Sequence, residues 1–284
     1  MITIVIPTYN RLEYLIKAYK SVLEQDSNDY ILHIVDDSTN DDTYNYFKKI
    51  KLKNNIIYEK NEKNLGIVEN ISKVLKIAKT KWVTILSDDD ILEKDFISTS
   101  LKTLTNSDKA IVIASFKDID ESGNFLAEHK HRKVSYTNVD AFVELFYDNF
   151  PTAGISGIFF DTHLCKDIFS LKDYPDALLS DSYLCRAAAK IGGMETIDKV
   201  IYNRRRWSGS LSSGGRSIIQ MIKTIYASHR AHKIFRIDMM DMWKQLMVEH
   251  ENSEKLIAMK DDLYAYYQEN VIMNSIMINL KKIF

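Results

Sequence analysis

The chain has few of the residues that staple or interrupt a fold. Cysteine occurs only twice in 284 residues. Cys165 and Cys185 lie far apart without metal-ligand spacing, so neither a disulfide framework nor a zinc site is expected. Their apolar surroundings point to buried free thiols and a reducing compartment. Glycine occurs nine times, and no Gly-x-Gly-x-x-Gly follows the first apolar run, which disfavours a dinucleotide-linked dehydrogenase. No charge sign is in excess either. The 38 basic and 39 acidic residues leave a net charge of −1, which gives no reason to expect nucleic acid as a partner. Long apolar runs are missing as well. Met1 leads straight into Ile2-Thr3-Ile4-Val5-Ile6, too short to span a bilayer and lacking the n-region and cleavage site of a leader. The expectation is a cytoplasmic protein that touches the inner face of the cell membrane at most. There is no internal repeat and no long low-complexity tract.

What is present fits a soluble α/β protein with a sizeable core: 45% of residues are hydrophobic and 27% charged. The length suits one α/β unit plus an appendage. Charge is unevenly placed. Over residues 204–284 basic side chains outnumber acidic ones 13 to 8, leaving the earlier part acidic. An acidic front suits metal binding. A basic tail suits phosphate, an anionic membrane surface, or simply a solvated helical face.

Residues 2–6 read as a buried strand stopped by Pro7. Leu12, Leu15, Ile16, Tyr19, Val22 and Leu23 then recur at helical spacing, predicting a helix over 12–23. Strands are predicted at 30–35, 56–59 and 82–86, with helices at 41–50 and 66–78 between them. This alternation with short connections predicts a doubly wound, largely parallel sheet with helices on both faces. Later elements are less regular: strands near 110–115 and 154–160, a polar turn at 118–124, and helices near 140–147 and 181–190. After Lys199-Val200-Ile201-Tyr202 comes a basic segment, Asn203 to Trp207, then a Ser/Gly-rich stretch at 208–215. From Arg216 onward Met, Ile and Tyr residues predict helices. Their apolar patches suit core packing first, a homodimer face second, and peripheral membrane contact through residues 276–284 third.

Ligands of parallel α/β sheets sit outside the carboxyl ends of the strands. Three polar clusters fall there: Pro7-Thr8-Tyr9-Asn10-Arg11, Asp36-Asp37, and Ser87-Asp88-Asp89-Asp90. The last is the strongest feature. Three adjacent carboxylates repel one another unless a cation neutralises them, and hard oxygen ligands select Mg²⁺ or Mn²⁺. The competing reading makes Asp89 or Asp90 the cap of a helix starting near Ile91. His129 and His131 lack a third ligand and are not expected to bind metal.

Residues 4–11 (Ile-Val-Ile-Pro-Thr-Tyr-Asn-Arg), Val35-Asp36-Asp37-Ser38, Asn64-Leu65-Gly66 with Asn70, and Leu86-Ser87-Asp88-Asp89-Asp90 resemble successive signatures of family 2 glycosyltransferases with the GT-A fold. The resemblance covers about residues 1–210. It implies a catalytic domain over 1–207, with a nucleotide-binding half (1–110) and an acceptor half (111–207), followed by a helical region at 208–284. It also implies that Pro7, Thr8, Tyr9, Arg11, Asp37, Asn64, Gly66, Asn70 and Asp88 hold a donor nucleotide. Asp89 and Asp90 would hold Mn²⁺ or Mg²⁺ on the donor diphosphate. Ser87 stands where the family often has its first Asp, and register favours Asp89 as principal ligand. Leu179-Ser180-Asp181-Ser182 resembles the family's Glu-Asp dyad with Ser180 replacing Glu, so Asp181 alone is carried over as general base. Arg204 and Arg206 are candidates to clamp the diphosphate, with 208–215 as a lid; an exposed linker is the equal alternative.

The activity so implied is inverting, metal-dependent transfer from a nucleotide-sugar, a UDP-sugar above all, to a glycan or lipid-linked glycan in surface glycan synthesis. A catalytically inactive nucleotide-sugar-binding protein is the alternative, with Ser180 as its support. A phosphoacceptor module is disfavoured, because its Asp pair should follow the first strand.

Overall fold

The structure, a computed structural model, describes residues 1–147, 151, 154–169, 180–210, 241 and 243–265. Strand β1 (Ile2–Thr8) lies between β2 (Tyr30–Asp36) and β4 (Trp82–Ile85), and β3 (Ile56–Lys60) pairs beyond β2. All of these pairings are parallel. Successive side chains of a strand face opposite sides of its sheet. Ile2, Ile4 and Ile6 pack with Leu15, Ala18 and Val22 of α1 (Leu12–Leu23) and Phe47 of α2 (Asp42–Lys48). Val5 packs on the other side with Ile71, Val74 and Leu75 of α3 (Ile67–Lys76). With both faces covered, the strand reads as one continuous apolar run.

β1 does not stop at Pro7; it continues through Thr8, whose partner is Asp36. The hydrogen bonds explain why proline is tolerated. Val5 accepts a bond from Leu86 on the β4 side at 2.8 Å, and Thr8 accepts one from Asp37 on the β2 side at 2.9 Å. The missing N–H of Pro7 therefore points to the β4 side, past the last β4 residue.

The later elements are β5 (Ile91–Leu92), α4 (Phe96–Leu104), β6 (Ile111–Ile119), β7 (Phe125–His129), β8 (Ser135–Tyr136) and α5 (Asn138–Phe146). A 3₁₀ turn (Ile155–Gly157), β9 (Ile158–Asp161), α6 (Ser180–Gly192) and β10 (Met194–Arg205) follow. One ten-stranded sheet results, ordered β3-β2-β1-β4-β9-β6-β10-β5, with β7 on β6 and β8 on β10. Here the expectation of a largely parallel sheet needs correcting. β9 runs antiparallel to both β4 and β6, so the sheet is mixed beyond β4. The turn before β9 depends on Gly157, where a Cβ would lie 2.0 Å from Cε1 of the fully buried Tyr202. The basic segment is not a linker either: Asn203, Arg204 and Arg205 are the last residues of β10, paired with β6.

A helical segment at 243–249 and the short helix Glu254–Ala258 pack on α5. Trp243, Leu246, Leu256, Met259 and Leu263 form one cluster with Val139 and Phe142, supported by the pairs Lys255–Asp140 and Tyr147–Asp262. Core packing thus accounts for this part of the tail. The membrane reading at 276–284 lies outside the described residues, as do most of the tail from 216 on which the dimer reading rests and 211–215 of the lid segment 208–215. Among the described residues no helix is long and apolar enough to cross a membrane. Both cysteines are buried and neither is in a disulfide, and burial pushes the Cys165 thiol up to about 12.

Candidate active site

The ends of β1, β2 and β4 meet at one edge of the sheet, and the loops there are stitched to each other. Asn10, in the left-handed region at φ 53°, accepts from the Thr39 amide at 3.1 Å through its side chain. Its own amide donates to the Ser38 hydroxyl at 2.9 Å. Short polar side chains tolerate this conformation best. Beside it Tyr9 is 48% exposed. Asp36 is fully buried and receives the Tyr58 hydroxyl at 2.6 Å. Burial and that contact push the Tyr58 phenol up.

Asp37 organises the neighbouring loop. Its carboxylate accepts from the backbone amides of Leu65 (2.8 Å) and Gly66 (3.0 Å) and from the Asn61 amide (2.8 Å). Asn64 in turn donates to the Asp37 carbonyl at 3.1 Å. Gly66 adopts φ +77°, which glycine enters without steric cost. Asn61 also reaches Asn70 at 3.2 Å and takes a bond from Lys73 at 2.5 Å, while Lys73 pairs with Glu59 at 2.6 Å. Asp37, Asn64, Gly66 and Asn70 are therefore one network. Asn61 and Lys73 belong to it, although the sequence reading passed over both; lying three residues from Asn64 and Asn70, they offered only proximity as a signal.

In the acidic run the three carboxylates part company. The Asp90 amide bonds back to the Ser87 carbonyl at 3.1 Å, a tight turn that fans the side chains apart. Asp88 accepts from the Thr8 hydroxyl at 2.8 Å and from Arg11 at 3.3 Å. Burial raises its carboxyl to about 6 in spite of Arg11. Asp90 gives both oxygens to the protein: one to the Ser156 hydroxyl at 2.5 Å, the other to the Arg205 amide at 2.8 Å. Burial, aided by the charge of Asp89, pushes it up to about 8. Asp89 accepts from the Ser87 hydroxyl at 2.7 Å and the Trp207 indole N–H at 2.8 Å, and faces Arg11 at 3.6 Å. Ser156 and Arg205 are structural partners that the sequence reading did not assign.

The helix-cap reading fails here. Ile91 and Leu92 form β5 against β10, and the next helix starts at Phe96. As candidate metal ligands the carboxylates are not equivalent. Among the described residues no group of three His, Cys, Asp or Glu converges on one point. Asp90 is already satisfied on both oxygens. Asp89 likewise accepts on both oxygens, from Ser87 and Trp207, and faces Arg11; an oxygen hard enough for Mg²⁺ or Mn²⁺ is offered there only when one of these side chains gives way.

The remaining candidates divide. Arg204 gives its fork to Asp118 at 2.7 and 3.0 Å and stacks over Phe116. His129 completes that cluster, 3.0 Å from Asp118. Arg206 is partly buried and its amide bonds Ile119 at 2.8 Å. Asp181 stands in the first turn of α6, but its side chain lies outside the described residues. Arg205, buried, binds the carbonyls of Asp89, Asp120 and Glu121 at 2.7–3.0 Å.

The sequence model for glycosyl transferase family 2 matches residues 3–163, more than half of the chain and all three strand-end clusters. The chain belongs to this family. Among relatives, GlyG of Streptococcus pneumoniae is 26% identical over 44% of this chain and 42% of that protein. A putative teichuronic acid biosynthesis glycosyltransferase of Bacillus subtilis, TuaG, is 26% identical over 50% of this chain and 56% of its own length. The chain thus matches about half the length of these relatives. Residues 1–349 of Staphylococcus aureus TarS, solved with UDP-GlcNAc, superimpose with a TM-score of 0.61 at 20% identity, over 95% of this chain and 72% of that one. That likeness carries the GT-A fold. Asp181, Arg205 and Trp207 lie outside the family match.

Proposed function

We propose that this chain transfers a sugar from a UDP-sugar to a hydroxyl of a glycan or lipid-linked glycan in surface glycan synthesis, with inversion at the anomeric carbon. The observation that carries the reading is the convergence of the Thr8-Tyr9-Arg11, Asp37 and Asp88-Asp89 clusters at one sheet edge. The relative named for teichuronic acid biosynthesis and the neighbour holding UDP-GlcNAc support the same direction.

Tyr9 presents an exposed aromatic face on which a base stacks, and the Asp37 network fixes the loop beside it. Arg11 offers a guanidinium whose planar fork suits the diphosphate oxygens. It reaches them by leaving Asp88 and Asp89. A divalent metal at Asp89 would neutralise charge building on the leaving nucleoside diphosphate. As the acceptor hydroxyl attacks, Asp181 takes its proton. Attack from the face opposite the leaving group, with no protein nucleophile, inverts the configuration.

The role of Asp181 is tested by Asp181→Asn, measured as UDP affinity and as sugar transfer from UDP-GlcNAc. UDP binding is expected to stay near wild type while transfer falls by roughly 10²–10⁴-fold. Transfer at the wild-type rate would remove Asp181 as the base. Ser180 favours an inactive sugar-binding protein as the second reading, and turnover of the donor above background eliminates it.

A further inference from the structure

A cleft of about 600 Å³ opens between the start of α1 and α2, within the range of small-ligand sites. It lies on the α1/α2 side of the sheet, and none of Asp37, Asn61, Asn64, Gly66 or Asn70 lines it. Three aromatic side chains do: Tyr14, Tyr46 and Trp207. Tyr14 and Trp207 are in ring contact at 4.5 Å, and the Tyr14 hydroxyl is held by Glu121 at 2.8 Å. This wall is fixed in place.

We propose that the cleft is a subsite for neutral sugar units of the acceptor glycan, a reading that rests on the glycosyltransferase function above. The polar lining decides the ligand class. Glu13, Asp42, Asn45 and Lys49 surround the aromatic residues, and among the described residues their side chains have no hydrogen-bond or ion-pair partner. With Arg11 and Asn10 the lining holds two acids, two bases and two amides, which make no field of a single sign. A diphosphate or anionic lipid headgroup would meet Glu13 and Asp42, and a polycation would meet Lys49 and Arg11. A polyhydroxyl chain uses donors and acceptors together and lays its apolar C–H faces on aromatic rings, so it suits every group there. The cleft also adjoins the transfer site. Arg11 and Trp207 line it and at the same time contact Asp88 and Asp89. A glycan held there is anchored beside the acidic run, as a growing chain must be when its end is extended.

The test titrates the full chain with maltotriose, and separately with the β-1,4-linked trimer of N-acetylglucosamine, by protein-observed NMR. UDP is titrated into a parallel sample. At least one trisaccharide is expected to shift the resonances of Tyr14, Asn45 and Tyr46. Asn45→Ala, an exposed helix position that leaves packing intact, and Tyr46→Leu, which keeps apolar bulk, should each weaken that binding by roughly five- to tenfold with UDP affinity unchanged. Trisaccharides that leave these resonances unmoved, or bind the variants as tightly as wild type, overturn the subsite. Trisaccharide binding without UDP binding instead contradicts the donor reading and leaves the subsite standing.

Discussion

Arg11 illustrates how one side chain substitutes for an ion. Its guanidinium lies 3.3 Å from Asp88 and 3.6 Å from Asp89, stacks over Trp207 and donates to the Gly209 carbonyl at 3.2 Å. A cation held in place between two carboxylates lowers their need for another one. Arg11 and a metal at Asp89 therefore compete, and Arg11→Gln is expected to tighten Mn²⁺ binding to nucleotide-free protein by roughly tenfold, read by paramagnetic resonance. Equal or weaker affinity would show that Arg11 does not oppose the metal. Asp90 makes a separate statement at this scale. Its folded carboxyl titrates near 8, above its unfolded value, so the folded state holds a proton that the unfolded chain has released. That contribution is present at low pH and is lost as pH rises from the ordinary carboxylate range through about 8. Asp88, raised to about 6, acts in the same direction over a narrower window. Asp90→Asn keeps an acceptor for the Arg205 amide and removes the titration. Its melting temperature should decline less between pH 5 and pH 8.5, wild type serving as reference; parallel profiles would contradict this.

The 3₁₀ turn and β9 are the elements that join the two parts of the sheet, and they carry Ser156 to Asp90. Gly157→Ala drives a methyl into Tyr202, whose ring is stacked with Phe116 at 5.2 Å and cannot withdraw. Overpacking of this kind costs about 1–3 kcal/mol, seen as a lower denaturation midpoint at unchanged slope; an unaltered midpoint would mean that the turn yields. What the sequence made legible follows the same division. α1 was readable to its ends, because its apolar residues repeat within a single helix. The strands β1 to β4 were readable because burial on both faces leaves an apolar signature that needs no partner. β9 was expected as a strand near 154–160, but its direction was not legible, because it is set by β4 and β6, far away along the chain. Arg204 and Arg205 misled for a related reason. The charge of their segment suggested a diphosphate clamp or an exposed linker, yet Asp118 and the carbonyls of Asp120 and Glu121, distant in sequence, satisfy Arg204 and Arg205 inside the sheet. Likewise, three Asp residues in a row signalled a site, but all three are buried, and partners such as Ser156 and Trp207 lie far along the chain.

At the scale of the molecule, a sheet that is parallel in its first half gathers three loops at one edge, and the mixed second half brings β10 and Trp207 across to meet them. The donor reading belongs to that meeting point rather than to any one loop. Its most direct test is calorimetric titration of UDP into the full chain, with and without Mn²⁺, for wild type and Asp89→Ala. The account requires wild-type binding that Mn²⁺ strengthens by roughly tenfold or more, and loss of that gain in the variant. UDP that fails to bind in either condition, or a metal-dependent affinity untouched by Asp89→Ala, would contradict it.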